Sequence, residues 1–172
     1  MLTNTAKAGG VYKVVCHDAD GNFKWEESTH NLVVNQGLQD MNTQYFKGSA
    51  YTAAWYLGLI TGPGSGTTFS ASDTLASHAG WTEFTAYSGN RKAVTFGTAT
   101  TADPSVIANS AAPSQFSITG GGGVVAGAFL CSVATGTSGI LFSASDFQSP
   151  GDRTVVSGDT LTVTYTFSLD AT

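Results

Sequence analysis

The sequence is poor in charged residues. Asp, Glu, Lys and Arg make up 11% of its 172 residues, whereas about 25% is usual in a soluble domain. The net charge is −5, and only 7 residues are Lys or Arg. These basic residues are scattered, so they form no stripe that would neutralise the phosphates of a nucleic acid. We therefore expect no nucleic-acid partner, and a polar but weakly charged surface fits a protein that packs closely within an assembly.

Long apolar segments are also missing. No apolar run in the sequence reaches the roughly 18 residues that indicate a membrane-spanning helix. The first ten residues lack the hydrophobic region of a secretory signal. We therefore expect a protein that is made in the cytoplasm of its host and has no membrane partner.

Cysteine is rare. Cys16 and Cys131 lie far apart in the sequence, each in an apolar, strand-like segment. Because a cytoplasmic protein normally keeps its thiols reduced, we expect two free, buried thiols; one disulfide stays open for a protein that matures outside the cell. Two widely spaced cysteines do not make a zinc site.

Short strand-like segments dominate what is present. Residues 53–60 (AAWYLGLI) and 124–134 (VVAGAFLCSVA) are predominantly apolar, without a polar alternation, which predicts strands that are buried on both faces. Near the C-terminus, Thr and Ser alternate with five apolar residues: Leu161, Val163, Tyr165, Phe167 and Leu169. That alternation is typical of a strand with one buried face. The chain is therefore predicted to be mainly β, an antiparallel β-sandwich or jelly roll in a single domain of residues 1–172.

One short helix interrupts the strand pattern. Val34, Leu38, Met41 and Tyr45 recur at helical spacing, which predicts a helix over residues 36–46. We expect this apolar stripe to lie against the sheet.

Three further segments have local signals. Residues 11–17 and 23–29 flank a DADGN turn sequence and predict a β-hairpin. Asp73 is a favoured N-cap residue, which predicts a helical turn near residues 73–78. Residues 1–9 are expected to form a flexible N-terminal arm.

Two motifs formally suggest ligand sites. Residues 18–22 (DADGN) begin like a calcium loop, but the sixth and twelfth positions are Phe23 and Thr29, where an EF-hand needs Gly and a carboxylate. Residues 121–126 (GGGVVA) match a lenient dinucleotide fingerprint, but a strand-like segment follows instead of the required helix. We therefore predict neither a metal site nor a cofactor.

Catalytic groups are equally hard to assemble from the sequence. Ser77, His78 and Asp73 lie close together, but no Gly-x-Ser-x-Gly elbow accompanies them, and such near neighbours rarely aim at one another. His17 and His30 border a turn and the predicted helix. The remaining candidates for acid–base chemistry show no obvious pairing: Glu26, Glu27 and Glu83. We therefore predict no catalytic residues and no enzymatic activity.

Several aromatic side chains are candidates for stacking on a sugar. They are Trp25, Trp55, Tyr56 and Tyr87. Core packing or a contact between subunits explains them at least as well.

Seven segments carry a resemblance to a known family. They are residues 31–38 (NLVVNQGL), 45–48 (YFKG), 55–60 (WYLGLI), 73–83 (DTLASHAGWTE), 90–92 (NRK), 127–130 (GAFL) and 157–161 (SGDTL). Together they resemble a family of small virion proteins of tailed bacteriophages, and the similarity spans residues 11–170. These motifs are structural, so no catalytic residue carries over from the family.

The resemblance implies a non-enzymatic structural protein of the virion. Such proteins decorate the head as cement proteins or serve as minor tail components. The expected role is therefore a capsid decoration protein that forms a homo-oligomer and binds the major capsid protein on the outer shell. A tail or fibre component is the alternative, and a carbohydrate-binding module is a more remote one. Residues 1–9 and the loop of residues 62–71 are the expected contact segments.

Overall fold

The computed structural model describes residues 5–47, 54–61, 67–148 and 151–171. Within these ranges the chain forms one helix, α1 (Asn35–Lys47), and many short strands. In chain order the strands are β1 (Ala6–His17), β2 (Phe23–His30), β3 (Leu32–Val33), β4 (Tyr56–Thr61), β5 (Thr82–Phe84), β6 (Lys92–Ala93), β7 (Ser105–Ala108), β8 (Ser114–Ser117), β9 (Gly123–Val125), β10 (Gly127–Cys131), β11 (Leu141–Asp146), β12 (Arg153–Val155) and β13 (Thr160–Ala171). The protein is mainly β, as the sequence predicts.

β1 and β13 form the centre of the first sheet. They pair antiparallel along their full length of 12 residues. The strand order is β2-β1-β13-β7, and β8 also pairs with β13. The alternation predicted for β13 is confirmed at Leu161, Val163 and Tyr165, which are fully buried, whereas Leu169 near its end is exposed. The predicted hairpin is also confirmed, because β1 pairs with β2.

β4 and β10 lie in the middle of the second sheet. Its strand order is β3-β11-β10-β4-β5, and β6 also pairs with β4. All residues of β10 and the inner residues of β4 are buried. The prediction of strands buried on both faces is therefore confirmed. β9 and β12 form a separate two-stranded sheet.

The main core lies between the two large antiparallel sheets, which is consistent with a β-sandwich. Tyr12 and Tyr165 of the first sheet are fully buried, and their ring centroids lie 4.6 Å apart. The hydroxyl of Tyr12 lies 2.7 Å from Oγ of Ser143 in β11 and donates to the main-chain oxygen of Ser143 at 3.2 Å. Burial raises the pKa of both tyrosines. These contacts give partners to polar groups inside an otherwise apolar core.

A second apolar cluster covers the other face of the second sheet. Trp81 is 2% exposed, and its ring lies 5.3 Å from the ring of Phe129 in β10. Leu75 and Val34 belong to the same cluster. The segment of residues 67–81 and Val34, just before α1, therefore cover the face of the second sheet that the main core leaves open. This cover explains why β4 and β10 are apolar on both faces.

α1 confirms the predicted helix but faces the sheet differently. Gly37 is the residue of α1 that is buried, and a Cβ atom there would lie 2.5 Å from the main-chain oxygen of Phe142 in β11. Met41 packs against the main core, whereas Leu38 is 40% and Tyr45 is 83% exposed. The predicted stripe was wrong at these two positions because the closest approach of helix and strand is made at a glycine.

Two other predicted segments have a different structure. Residues 6–9 are not a loose arm, because they extend β1 and pair with β13; residues 1–4 lie outside the described ranges. Residues 73–78 form a tight turn instead of a helical one, with two main-chain hydrogen bonds of 2.9 and 3.1 Å between Thr74 and Ser77. Asp73 caps no helix, and its Oδ2 accepts a hydrogen bond from the main-chain N–H of Ser70 at 3.1 Å.

The apolar segment of residues 124–134 is not one strand. Its first part belongs to β9 and pairs with β12, and β10 then enters the second sheet at Gly127. Between them, Ala126 donates to the main-chain oxygen of Ile60 at 2.7 Å and accepts from the N–H of Phe147 at 2.8 Å. The chain changes partners here, a change that apolar composition does not signal.

Candidate functional site

The DADGN segment uses its own carboxylate to close a turn. Oδ1 of Asp18 accepts the main-chain N–H groups of Asp20 at 2.9 Å and of Asn22 at 2.8 Å. The side chain of Asn22 donates to Oδ2 at 3.0 Å. The hydrogen bonds from Asn22 lower the pKa of Asp18. In the described ranges, no group of three His, Cys, Asp or Glu residues could hold a metal ion.

The glycine-rich segment leads into a strand. Gly120, Gly121, Gly122 and Gly123 all have positive φ, and β9 begins at the last of them. A dinucleotide fingerprint needs a helix N-terminus at this point to receive the phosphates. The segment therefore makes a turn between β8 and β9.

Asp73 and His78 do not form a catalytic set with Ser77; both contact Trp81. The indole N–H of Trp81 donates to Oδ2 of Asp73 at 3.3 Å. The imidazole of His78 stacks on the indole with 3.7 Å between centroids, and its Nδ1 lies 2.9 Å from the main-chain oxygen of Trp81. The three polar residues therefore belong to a turn whose packing centres on one buried tryptophan.

The three glutamates singled out in the sequence each pair with a cation. The pairs are Glu26 with Lys13 at 3.0 Å, Glu27 with Arg153, and Glu83 with Arg91 at 2.7 Å. The pair of Glu83 and Arg91 is bidentate, and Arg91 also donates to the main-chain oxygens of Val133 and Gly136. Each of these carboxylates therefore already has a charged hydrogen-bond partner.

A cleft of about 290 Å³ lies beside the pair of Glu83 and Arg91. Burial acts to lower the pKa of Arg91, but the hydrogen bond and charge of Glu83 outweigh it, so the pKa is raised. Burial, followed by the charge of Glu83, also raises the pKa of Tyr87 in the same cleft. Three acceptor groups fix the guanidinium of Arg91. The ion pair beside this cleft therefore has a structural role.

Both cysteines are free and buried, as predicted. Burial raises the pKa of the Cys16 thiol to about 11, and the neighbouring Asp159 adds to the effect. Burial also raises the pKa of Cys131. Thiols that are buried and protonated are poor nucleophiles and poor metal ligands.

α1 exposes an apolar surface, and two of its three residues, Leu38 and Tyr45, were expected to lie against the sheet. Leu38, Tyr45 and Phe46 are 40%, 83% and 77% exposed. Their spacing of seven and eight residues puts them on one face of the helix. The rings of Tyr45 and Phe46 meet edge to face, with 5.0 Å between centroids. We call these three residues the helix patch.

The expected contact loop of residues 62–71 is described only in part, and the four candidate aromatics are buried or partly buried. Residues 62–66 of the predicted contact loop lie outside the described ranges, and the rest of that loop is held to the Trp81 turn, for example by Thr68, which donates to Gly80 at 3.2 Å. Among the candidate aromatics, Tyr87 is buried. The other three are partly buried: Trp25, Trp55 and Tyr56.

Comparisons with protein-family models, with curated proteins and with solved structures found no match. Within the described ranges, no helix has the length and apolar character needed to cross a membrane.

Proposed function

We propose that this protein is a non-enzymatic structural component of a tailed-bacteriophage virion that decorates the outer capsid shell. The observation that carries the proposal is the helix patch. Two adjacent aromatic rings are more than three-quarters exposed, although burial of such side chains dominates the energetics of cores and interfaces. Large exposed apolar groups of this kind mark sites of protein association.

The helix patch is held in place by a close contact on another face of α1. Gly37 lets α1 approach β11, and Met41 packs into the main core. An aromatic anchor on a fixed helix loses little conformational freedom when it binds. Tyr and Phe are also enriched where protein interfaces are buried. The arrangement therefore suits a contact made by a preformed surface.

The scarcity of charge supports a role in a crowded assembly. With 11% charged residues, neighbouring copies experience little electrostatic repulsion across a shell. A decoration protein contacts many equivalent positions, so individually weak contacts combine into strong binding. The identity of the partner rests on the resemblance to small phage virion proteins, and the proposed partner is the major capsid protein.

A capsid-binding assay with patch variants tests this proposal. The double variant Tyr45→Ser/Phe46→Ser removes both rings, and each interface hot spot is worth about 2 kcal/mol or more. We expect at least about a tenfold loss of co-sedimentation affinity for capsids of the encoding phage that were prepared without this protein.

Phe23→Ser is the matched control. Phe23 is 62% exposed but belongs to β2, outside the helix patch, so this variant should bind like the unmodified protein. Equal binding by the double variant would contradict the proposed contact surface. Binding to purified tails instead of capsids would contradict capsid decoration and favour the alternative, a tail or fibre component.

A further inference from the structure

A second cleft, of about 350 Å³, lies beside α1. Asp40 and Gln44 line it from the helix, Trp55 from the segment before β4, and Ser132 and Ser138 from the connection between β10 and β11. By helical geometry, Asp40 and Gln44 lie on a different face of α1 from the helix patch. We call this feature the Trp55 cleft.

The tryptophan of the cleft is held by its surroundings. Its indole meets the ring of Phe142 edge to face, with 5.3 Å between centroids and an angle of 70°. The main-chain oxygen of Trp55 accepts the N–H of Val94 at 2.8 Å. The side chain is only partly buried, so it combines a fixed position with access to the cleft.

Polar groups around the tryptophan offer both acceptors and donors. Nε2 of Gln44 donates to Oδ1 of Asp40 at 3.2 Å, while Oε1 of Gln44 is buried and has no hydrogen-bond partner among the described residues. A buried acceptor without a partner is energetically costly. Oγ of Ser132 accepts the N–H of Ile140 at 2.9 Å, and a hydroxyl that accepts in this way keeps its own proton to donate.

We propose that the Trp55 cleft binds one sugar unit of a glycan. A sugar carries hydroxyls that donate and accept, and it has an apolar face that packs on an aromatic ring. The cleft presents much of the matching set: the indole of Trp55, the carboxylate of Asp40, and the hydroxyls of Ser132 and Ser138, with the amide of Gln44 beside them. Its volume lies near the lower end of the roughly 300–1,000 Å³ of small-molecule sites, which suits a single ring.

A sugar hydroxyl supplies the hydrogen-bond donor that Oε1 of Gln44 lacks. The amide turns from its buried position so that Oε1 accepts from the ligand, and Asp40 accepts from a neighbouring hydroxyl. A cationic side chain would also suit Asp40 and an aromatic ring, but it would leave the serine hydroxyls without an acceptor. The mixture of donors and acceptors favours the sugar.

Ligand-observed NMR on the full chain tests this proposal. The probes are D-glucose, D-galactose and N-acetyl-D-glucosamine at up to about 50 mM, because a single sugar on such a site is expected to bind with a Kd of about 1 mM. At least one probe should bind. Asp40→Ala should weaken that binding at least about tenfold, and Trp55→Phe should weaken it while retaining the ring contact with Phe142.

Tyr45→Ser is the control, because it alters the helix patch and leaves the cleft residues unchanged. Failure of all three sugars to bind, or equal binding by Asp40→Ala and Trp55→Phe, would overturn the proposal. Binding of methylguanidinium without binding of any sugar would show a cation site and would also overturn it. The assay uses the isolated protein, so its outcome is independent of the capsid-binding test.

Discussion

Gly37→Ala should destabilise the protein, although alanine is the better helix former. Helix propensity alone predicts a gain of up to about 1 kcal/mol. The added Cβ would lie 2.5 Å from the main-chain oxygen of Phe142 and 3.0 Å from its Cα. Ordinary contacts between carbon atoms are about 3.5–4.0 Å, so helix and strand would have to separate by roughly 0.5–1 Å.

Neighbouring contacts restrict this separation of α1 from β11. Phe142 lies in β11, which pairs with β10 and β3 on its two sides, and its main-chain oxygen also accepts the N–H of Val34 just before α1 at 3.1 Å. Overpacking of this kind costs about 1–3 kcal/mol. For a protein of this length the change corresponds to a fall in Tm of about 2–12 °C.

Urea and thermal denaturation followed by circular dichroism measure this effect. Asn42→Ala is the matched control, because Asn42 lies on the exposed side of the same helix and should gain a few tenths of a kcal/mol from propensity. An unfolding free energy for Gly37→Ala that equals or exceeds that of the unmodified protein would refute the close contact between α1 and β11.

Three further outcomes follow from buried polar groups. Tyr12→Phe should cost about 1–2 kcal/mol in urea unfolding, because Ser143 loses the nearer of its two hydroxyl partners; no loss would argue against this link between the sheets. Glu83→Ala should cost about 3 kcal/mol, since the side chain of Arg91 is only 5% exposed and would keep its charge without the carboxylate; an unchanged unfolding midpoint would contradict that pairing. Both cysteine thiols should react with iodoacetamide at pH 7 at least about tenfold more slowly in the native than in the unfolded protein, and equal rates would show that they are accessible.

Features that depend on local pattern were predictable from the sequence. The alternation in β13 follows from one buried and one open face, and the DADGN turn follows from residues that hydrogen-bond within the turn itself. The existence of α1 follows from helical spacing. These signals are contained within a few consecutive residues, so no knowledge of the rest of the chain was needed.

Features that depend on tertiary contacts were not predictable in the same way. The orientation of α1 is set by Gly37 against β11, and a stripe of larger apolar residues gives no indication of that contact. The N-cap preference of Asp73 gave way to its hydrogen bond with the indole of Trp81.

The two surfaces on which the functional proposals rest also depend on tertiary contacts, so the sequence did not predict them. From the sequence, Leu38 and Tyr45 were predicted to lie against the sheet. The helix patch was therefore not predicted. Trp55 was a candidate for sugar stacking in the sequence, but its companions in the cleft lie on elements that are distant along the chain. Only the fold brings them together.

Cryo-electron microscopy of the purified virion tests the central claim most directly. The account predicts symmetric density for this chain on the outer capsid, with Tyr45 and Phe46 in contact with the shell or with a neighbouring copy. Absence of the chain from the particle, or full exposure of both rings in the assembled virion, would contradict it.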